Sequence, residues 1–139
     1  MGLLGSLLAR GVGEGGRDAV WKRGEGAAAR YMKRNGWRVV RRNLRLSTGE
    51  IDLLCRARGG GAFVLVEVKA RVRDDSERRP EDAITGAKKR KLLLLAKSLL
   101  RDDEIRRAGL RIDVIAVEFE PGRRKPAAIR HYERAVSAG

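Results

Sequence analysis

Two stretches of alternating residues flank the dipeptide Gly59-Gly60, and this unit constrains the fold more than any other part of the chain. Glycine tolerates the positive φ angles of a two-residue hairpin loop, so the pair predicts a tight antiparallel hairpin. Its arms run over Gly49 to Arg56 and Ala62 to Arg71. With the two glycines as the loop, Arg58 pairs with Gly61, Arg56 with Phe63, Leu54 with Leu65, and Asp52 with Glu67. The other face pairs Cys55 with Val64, Leu53 with Val66 and Ile51 with Val68, all apolar. A slip of one residue would set Asp52 against Val68 and mix the two faces, which fixes the register. Directly opposed residues hold their Cβ atoms about 4.5–5.5 Å apart, and like charges there repel. Alternation also puts Lys69 on the face of Glu67. Two acids and a lysine thus converge on one patch. A solvated sheet face is the ordinary explanation of such charges; a shared divalent cation is the other.

With 139 residues, the chain is long enough to bury a core as one domain. Its 32 basic against 18 acidic residues give a net charge of +14, spread along the length, which calls for a polyanionic partner. Nucleic acid fits better than a membrane, because the second helix has lysines on several faces and no aromatic interface anchors. Cys55, the single cysteine, excludes an internal disulfide and a cysteine-rich zinc site, and alternation places it in the core. His131 is the single histidine and has no nucleophile or ligand partner at a recognisable spacing, which argues against a Ser–His–Asp or His-based metal mechanism. No run approaches the ~18 apolar residues of a membrane span. Met1 to Arg10 lacks the basic region and long apolar core of a signal peptide, so the expected location is cytoplasmic. The match of Met1 to Ser6 to a myristoylation pattern is short enough to arise by chance.

Residues 1–16 contain six glycines and read as a flexible arm, leaving 17–139 as the folded domain. A helix follows to Asn35, with Trp21, Ala28 and Met32 on its apolar stripe and Gly36 as its stop. Gly24 and Gly26 leave its start open between Arg17 and Arg23. Trp37 to Leu46 reads as a strand whose apolar parity changes near Val40, the mark of a bulge. After the hairpin comes a charged loop, then a helix from Pro80 to about Leu100 whose stripe is Ile84, Lys88, Leu92, Leu95 and Leu99. A short helical segment is read on to Ala108, before Gly109. Leu110 to Phe119 is a nearly continuous apolar strand, and Ala127 to Arg134 a short edge strand. The expected class is α/β: a mixed sheet flanked by helices in the order α-β-β-β-α-β-β.

Phosphodiester cleavage needs a cation to gather water and phosphate and a positive group to offset developing charge. Mg²⁺ prefers oxygen ligands and usually takes one or two carboxylates, the number that Asp52 and Glu67 supply. Lys69 could orient or deprotonate water, or offset charge at phosphorus. Glu25 lies within the apolar stripe of the first helix; it either points at the sheet or, with a late helix start, sits in a first turn favoured by the dipole. Lys88 shares the second helix's stripe, where snorkelling from the core edge competes with phosphate contact. Glu50 has the facing of Asp52, and Asp113 is expected to pair with a neighbouring arginine rather than bind metal.

Gly24-Glu25 with Ala28, Asn43-x-Arg45, Gly49-Glu50-Ile51-Asp52-Leu53 and Val66-Glu67-Val68-Lys69-x-Arg71 together resemble the YraN-like family, and Ala83-Ile84, Lys88 and Asp113-Val114 extend the likeness. The resemblance runs from about Gly24 to Val117. That family is similar to Holliday junction resolvases and restriction endonucleases of the PD-(D/E)xK class. The resemblance implies a restriction-endonuclease-like core, Mg²⁺ or Mn²⁺ held by Asp52 and Glu67, Glu25 as a helix acid and Lys69 as the catalytic lysine. It further implies hydrolysis of DNA, including branched forms, for which a homodimer would suit a symmetric junction. The chain departs from the family pattern at Ser98, at Ile112 and in the charged loop after Arg71. Backbone contacts are expected from Arg45, Arg71, Arg73 and Lys88. An RNA-associated protein fits the charge equally well; with 4% aromatic residues, base-stacking recognition of single strands is a weak route, and DNA is the partner expected first. A non-catalytic nucleic-acid-binding protein that keeps the fold is the alternative.

Overall fold

A computed structural model describes residues 16–137, so the expected arm and the myristoylation pattern lie outside the described residues, apart from Gly16. Helix α1 spans Gly16–Arg34. Strands β1 (Trp37–Leu46), β2 (Gly49–Ala57) and β3 (Phe63–Val72) follow as an antiparallel meander. A 3-10 turn over Pro80–Ala83 leads into α2 (Gly86–Leu99) and the short α3 (Asp103–Ala108). Strand β4 (Leu110–Phe119) returns parallel to β3, and β5 (Pro126–Val136) closes the sheet antiparallel to β4. The sheet is open, in the order β1-β2-β3-β4-β5. This mixed sheet between helices is the restriction-endonuclease-like α/β core expected. Among the described residues no helix is long and apolar enough to cross a membrane.

Alternation along the central strands sends side chains into two cores, one under each helix layer. Leu53, Cys55, Val64, Val66, Val68, Ile115 and Val117 meet Ala28 and Met32 of α1. Leu54, Phe63, Leu65 and Ile112 meet Leu92, Leu95 and Leu99 of α2 and Ile105 of α3. Cys55 is a buried free thiol whose pKa burial pushes up to about 12, so it is inert. The bulge is where the parity change put it, between Val39 and Arg41 of β1.

Gly24 and Gly26 do not delay the first helix. A Cβ on Gly24 would lie 2.3 Å from the Cβ of Ala70, so the glycine is what lets α1 rest on β3. Packing of Ala27, Ala28 and Met32 outweighs the roughly 1 kcal/mol that a glycine costs inside a helix.

Two expectations need correction. The hairpin keeps the predicted register (Leu54↔Leu65, Arg56↔Phe63), but its loop is wider than two residues. The Ala57 amide bonds the Ala62 carbonyl, and the Gly60 amide turns back to the Ala57 carbonyl. Gly59 and Gly60 both have positive φ, 85° and 83°. The helix expected from Pro80 is also broken. Ile84 leaves helical geometry, and Thr85 starts a new helix by accepting the Lys88 amide on its side chain.

Candidate active site

The β2–β3 ladder ends at Leu53↔Val66, one pair short of Asp52 and Glu67. Each strand continues on its outer side: β2 stays paired with β1 to Gly49, and β3 with β4 to Val72. The two central strands therefore part at the acids. The Val68 amide, released from the ladder, donates to Asp52 Oδ2 at 2.8 Å. Ile51 and Val68 do not meet as the extended register implied, since Ile51 joins the α2-side core and Val68 the α1-side core.

This fork lets residues of both helix layers line one cavity of about 300 Å³. Trp21 enters from α1, Lys88, Lys91 and Leu95 from α2, and Glu50, Asp52, Glu67 and Lys69 from the strands. Asp52 is 8% and Glu67 3% exposed. Lys88 Nζ lies 2.8 Å and Lys69 Nζ 3.6 Å from Glu67 Oε2. Asp52 has its backbone amide and no cation at that range among the described residues. Burial, and next the charge and hydrogen bond of Glu67, push its carboxyl well above the ordinary carboxylate pKa.

Glu25 is mid-helix, since α1 begins at Gly16; the first-turn reading is excluded. It is 1% exposed and does not line the cavity. Burial raises its pKa to about 7 against the opposing pull of Arg42, whose Nε is 3.8 Å away. Among the described residues its Oε2 has no hydrogen-bond partner. The charge of Glu25 reaches Asp52 and adds to the rise there, so Glu25 stands behind the cavity acids rather than among them.

The oxygen-only donor set fits a hard divalent cation such as Mg²⁺ or Mn²⁺. Among the described residues no three His, Cys, Asp or Glu side chains gather as a metal-holding group. Mg²⁺ usually takes one or two carboxylates and keeps waters, so two carboxylates beside an open cavity meet its requirement.

The sequence profile described as Uncharacterised protein family UPF0102 matches residues 24–117. The chain belongs to this family. A UPF0102 protein of Symbiobacterium thermophilum is 43% identical over 103 residues, 74% of this chain and 83% of that protein. Another, of Pelotomaculum thermopropionicum, is 39% identical over 120 residues, 86% of this chain and 96% of that protein. A solved structure, Pyrococcus furiosus SfsA in complex with Ca²⁺, aligns with TM-score 0.39 and 14% identity over 94% of this chain and 76% of that one. Nothing about function follows from a likeness that low.

Every motif acid of the hairpin thus lies inside the UPF0102 match, and the structure brings Asp52, Glu67, Lys69 and Lys88 together. The expected arginines scatter. Arg45 is exposed on β1 across from Glu50 and does not line the cavity. Arg71 donates to Asp74 at 2.6 Å and to Ser76 at 3.0 Å. Arg73 is spent on Glu120 at 2.6 Å and Glu118 at 3.6 Å. Trp21, expected in the core stripe, belongs to neither core and forms cavity wall instead. Lys91 was overlooked, although it stands three residues after Lys88 and four before Leu95, a spacing that marks one helix face. His131, read as partnerless, bonds Asp113 through Nε2 at 2.7 Å and approaches the Tyr31 hydroxyl at 3.3 Å. Those partners are distant in sequence, so spacing offered no signal.

Proposed function

We propose that this chain is a metal-dependent nuclease that hydrolyses phosphodiester bonds of DNA, with branched or otherwise structured DNA as its substrate. One observation carries this reading: two buried carboxylates stand at a fork in the sheet and face a lysine-lined cavity, Glu67 held by lysines and Asp52 with no cation partner among the described residues, in a chain of charge +14. Such an arrangement costs stability, and a function that needs the charge is its physical justification. Asp52 and Glu67 would hold Mg²⁺ or Mn²⁺, which when bound polarises the phosphoryl oxygens and lowers the pKa of water.

The chain's own groups supply the rest. The Val68 amide fixes Asp52 Oδ2. Lys88 braces Glu67 through its ammonium. Lys69, on the same face and less tightly held, is placed to orient the attacking water or to balance charge at phosphorus. Glu25, the helix acid of the resolvase likeness, stands behind Asp52 and, when ionised, adds to the negative charge around it. Phosphate-backbone binding by lysine and arginine would be salt-dependent and weakly sequence-specific. A homodimer suits a two-fold junction, and a cytoplasmic location suits the chemistry.

A second reading, a nucleic-acid-binding protein that keeps the fold without catalysis, is favoured by the Lys88–Glu67 ion pair, which neutralises one acid with no metal. The deciding experiment is cleavage of duplex, branched and single-stranded DNA, with RNA beside them, in Mg²⁺ or Mn²⁺. Wild type should cut DNA, and Asp52→Asn and Lys69→Met should each lose more than about 10²-fold in rate. Full activity in both variants would sink the assigned site. Salt-sensitive binding without cleavage by wild type would favour the binding protein. Calorimetry with Mn²⁺ adds a check: Glu67→Gln should bind it more weakly than wild type.

A further inference from the structure

A second cavity, of about 460 Å³, adjoins the acid-bearing one, and Lys69 lines both. Its walls carry four cationic side chains, Lys69, Arg71, Arg78 and Arg79, against one acid, Asp82. That acid is already engaged, because its Oδ2 accepts the Arg79 amide at 2.8 Å. The other acids of the loop, Asp74, Asp75 and Glu77, do not line the groove.

The loop that presents Arg78 and Arg79 is built, not loose. Asp74 accepts the Ser76 amide at 2.8 Å and the Ser76 hydroxyl, and Arg71 clamps both residues. Ser76 and then Arg71 hold the Asp74 carboxyl down at a pKa of about 2. At the far end, Pro80 is buried and begins the 3-10 turn. Arg71 is therefore a strut. Arg78 and Arg79 are exposed, and among the described residues neither is in an ion pair. Glu67, Lys69 and Arg71 follow one another at two-residue steps on one face of β3, about 6.6 Å apart. That step is comparable to the spacing of successive phosphates on a nucleic-acid strand.

We infer that the Arg78–Arg79 groove is an anion subsite for the DNA phosphate next to the one that a cation on Asp52 and Glu67 would hold, and that Lys69 stands between the two positions. The inference rests on the proposed action on DNA and names residues that the charge pattern of the loop did not single out. Specific placement matters here, because a chain of charge +14 attracts DNA everywhere.

The test is anisotropy of a fluorescein-labelled duplex and four-way junction in EDTA, over a series of salt concentrations, with full-length protein. Arg78→Gln/Arg79→Gln should weaken binding about tenfold at moderate salt and lower the salt slope by about 2. A charge-matched control, Arg34→Gln/Arg38→Gln, removes two exposed arginines away from the groove and should change affinity much less. Arg78→Lys/Arg79→Lys keeps charge and fold, and should bind near wild type. Equal losses in the groove and control variants would overturn the subsite, as would unchanged binding in the groove variant. The two ideas fail separately. Loss confined to the groove variant supports the subsite even if wild type cuts nothing. Cleavage by wild type alongside equal losses removes the subsite and leaves the nuclease standing.

Discussion

Asp113 of β4 and Asp52 of β2 are both buried strand aspartates, and the protein treats them in opposite ways. Asp113 receives His131 Nε2 at 2.7 Å, Arg111 Nη2 at 3.0 Å and the Arg134 amide at 3.1 Å. Burial would raise its pKa, but those hydrogen bonds, His131 first, outweigh it and leave the carboxyl below its ordinary value. Nearby Glu81 is held down to about 2, mainly by Arg130. Asp52 has one amide and another carboxylate for company, and its pKa goes up. Both regions spend buried charge. The β4–β5 region saturates its acids; the fork pairs Glu67 with two lysines and leaves Asp52 without a cation among the described residues.

The sharpest way to break this contrast is mutation at each aspartate, read by thermal melts without added metal. Asp113→Ala should cost about 3–5 kcal/mol, because Arg111 loses its buried counter-charge and His131 its buried hydrogen-bond partner. Asp52→Asn should instead raise stability by about 1 kcal/mol while removing the proposed cleavage, since Asn can still accept the Val68 amide. Equal losses at the two sites would erase the distinction between them.

A smaller effect tests Glu25. Replacing its neighbour, Gly24→Ala, forces a Cβ to 2.3 Å from Ala70 and should cost about 1–3 kcal/mol, shifting the helix that carries the acid. Wild-type melting temperature near that of the variant would show that α1 can lift without cost.

The pH dependence sharpens the contrast further. Glu25 has a folded pKa of about 7 against an ordinary 4.5, so the folded state binds the proton more tightly. Its contribution therefore falls as pH rises from about 4.5 through 7, and Glu25→Gln should flatten that window. Glu81, lowered to about 2, contributes above 4.5 and loses that contribution as pH falls toward 2. Glu81→Gln should flatten only the acid limb in denaturant titrations at stepped pH. A stability curve with no fall between pH 4.5 and 7 would contradict the buried placement of Glu25.

Much of this was legible from short-range pattern. Alternation about Gly59-Gly60 was enough for the hairpin register, because a slip would expose one apolar face, and the parity change near Val40 located the bulge. Local signals misled where tertiary contact decided. Gly24 reads as a helix breaker until Ala70 is seen against it, and Trp21 reads as core until the cavity is seen beside it. Pro80 marks a helical turn correctly, but Thr85 is a better cap for the long helix, so the chain pauses between them.

What the sequence determined by itself is the chemistry available at one hairpin: Asp52 across from Glu67, with Lys69 two residues on, in a strongly basic chain. Period-two alternation is a property of the strand alone, and no long-range information is needed to apply it. Only the tertiary structure decided that β2 and β3 part at those acids, since each is held by a different outer strand. It also decided which cations are free. Arg73 is absorbed by Glu118 and Glu120, whereas Arg78 and Arg79 at the groove are in no ion pair among the described residues. Ion pairing joins residues far apart in the chain, and spacing along a sequence carries no record of it.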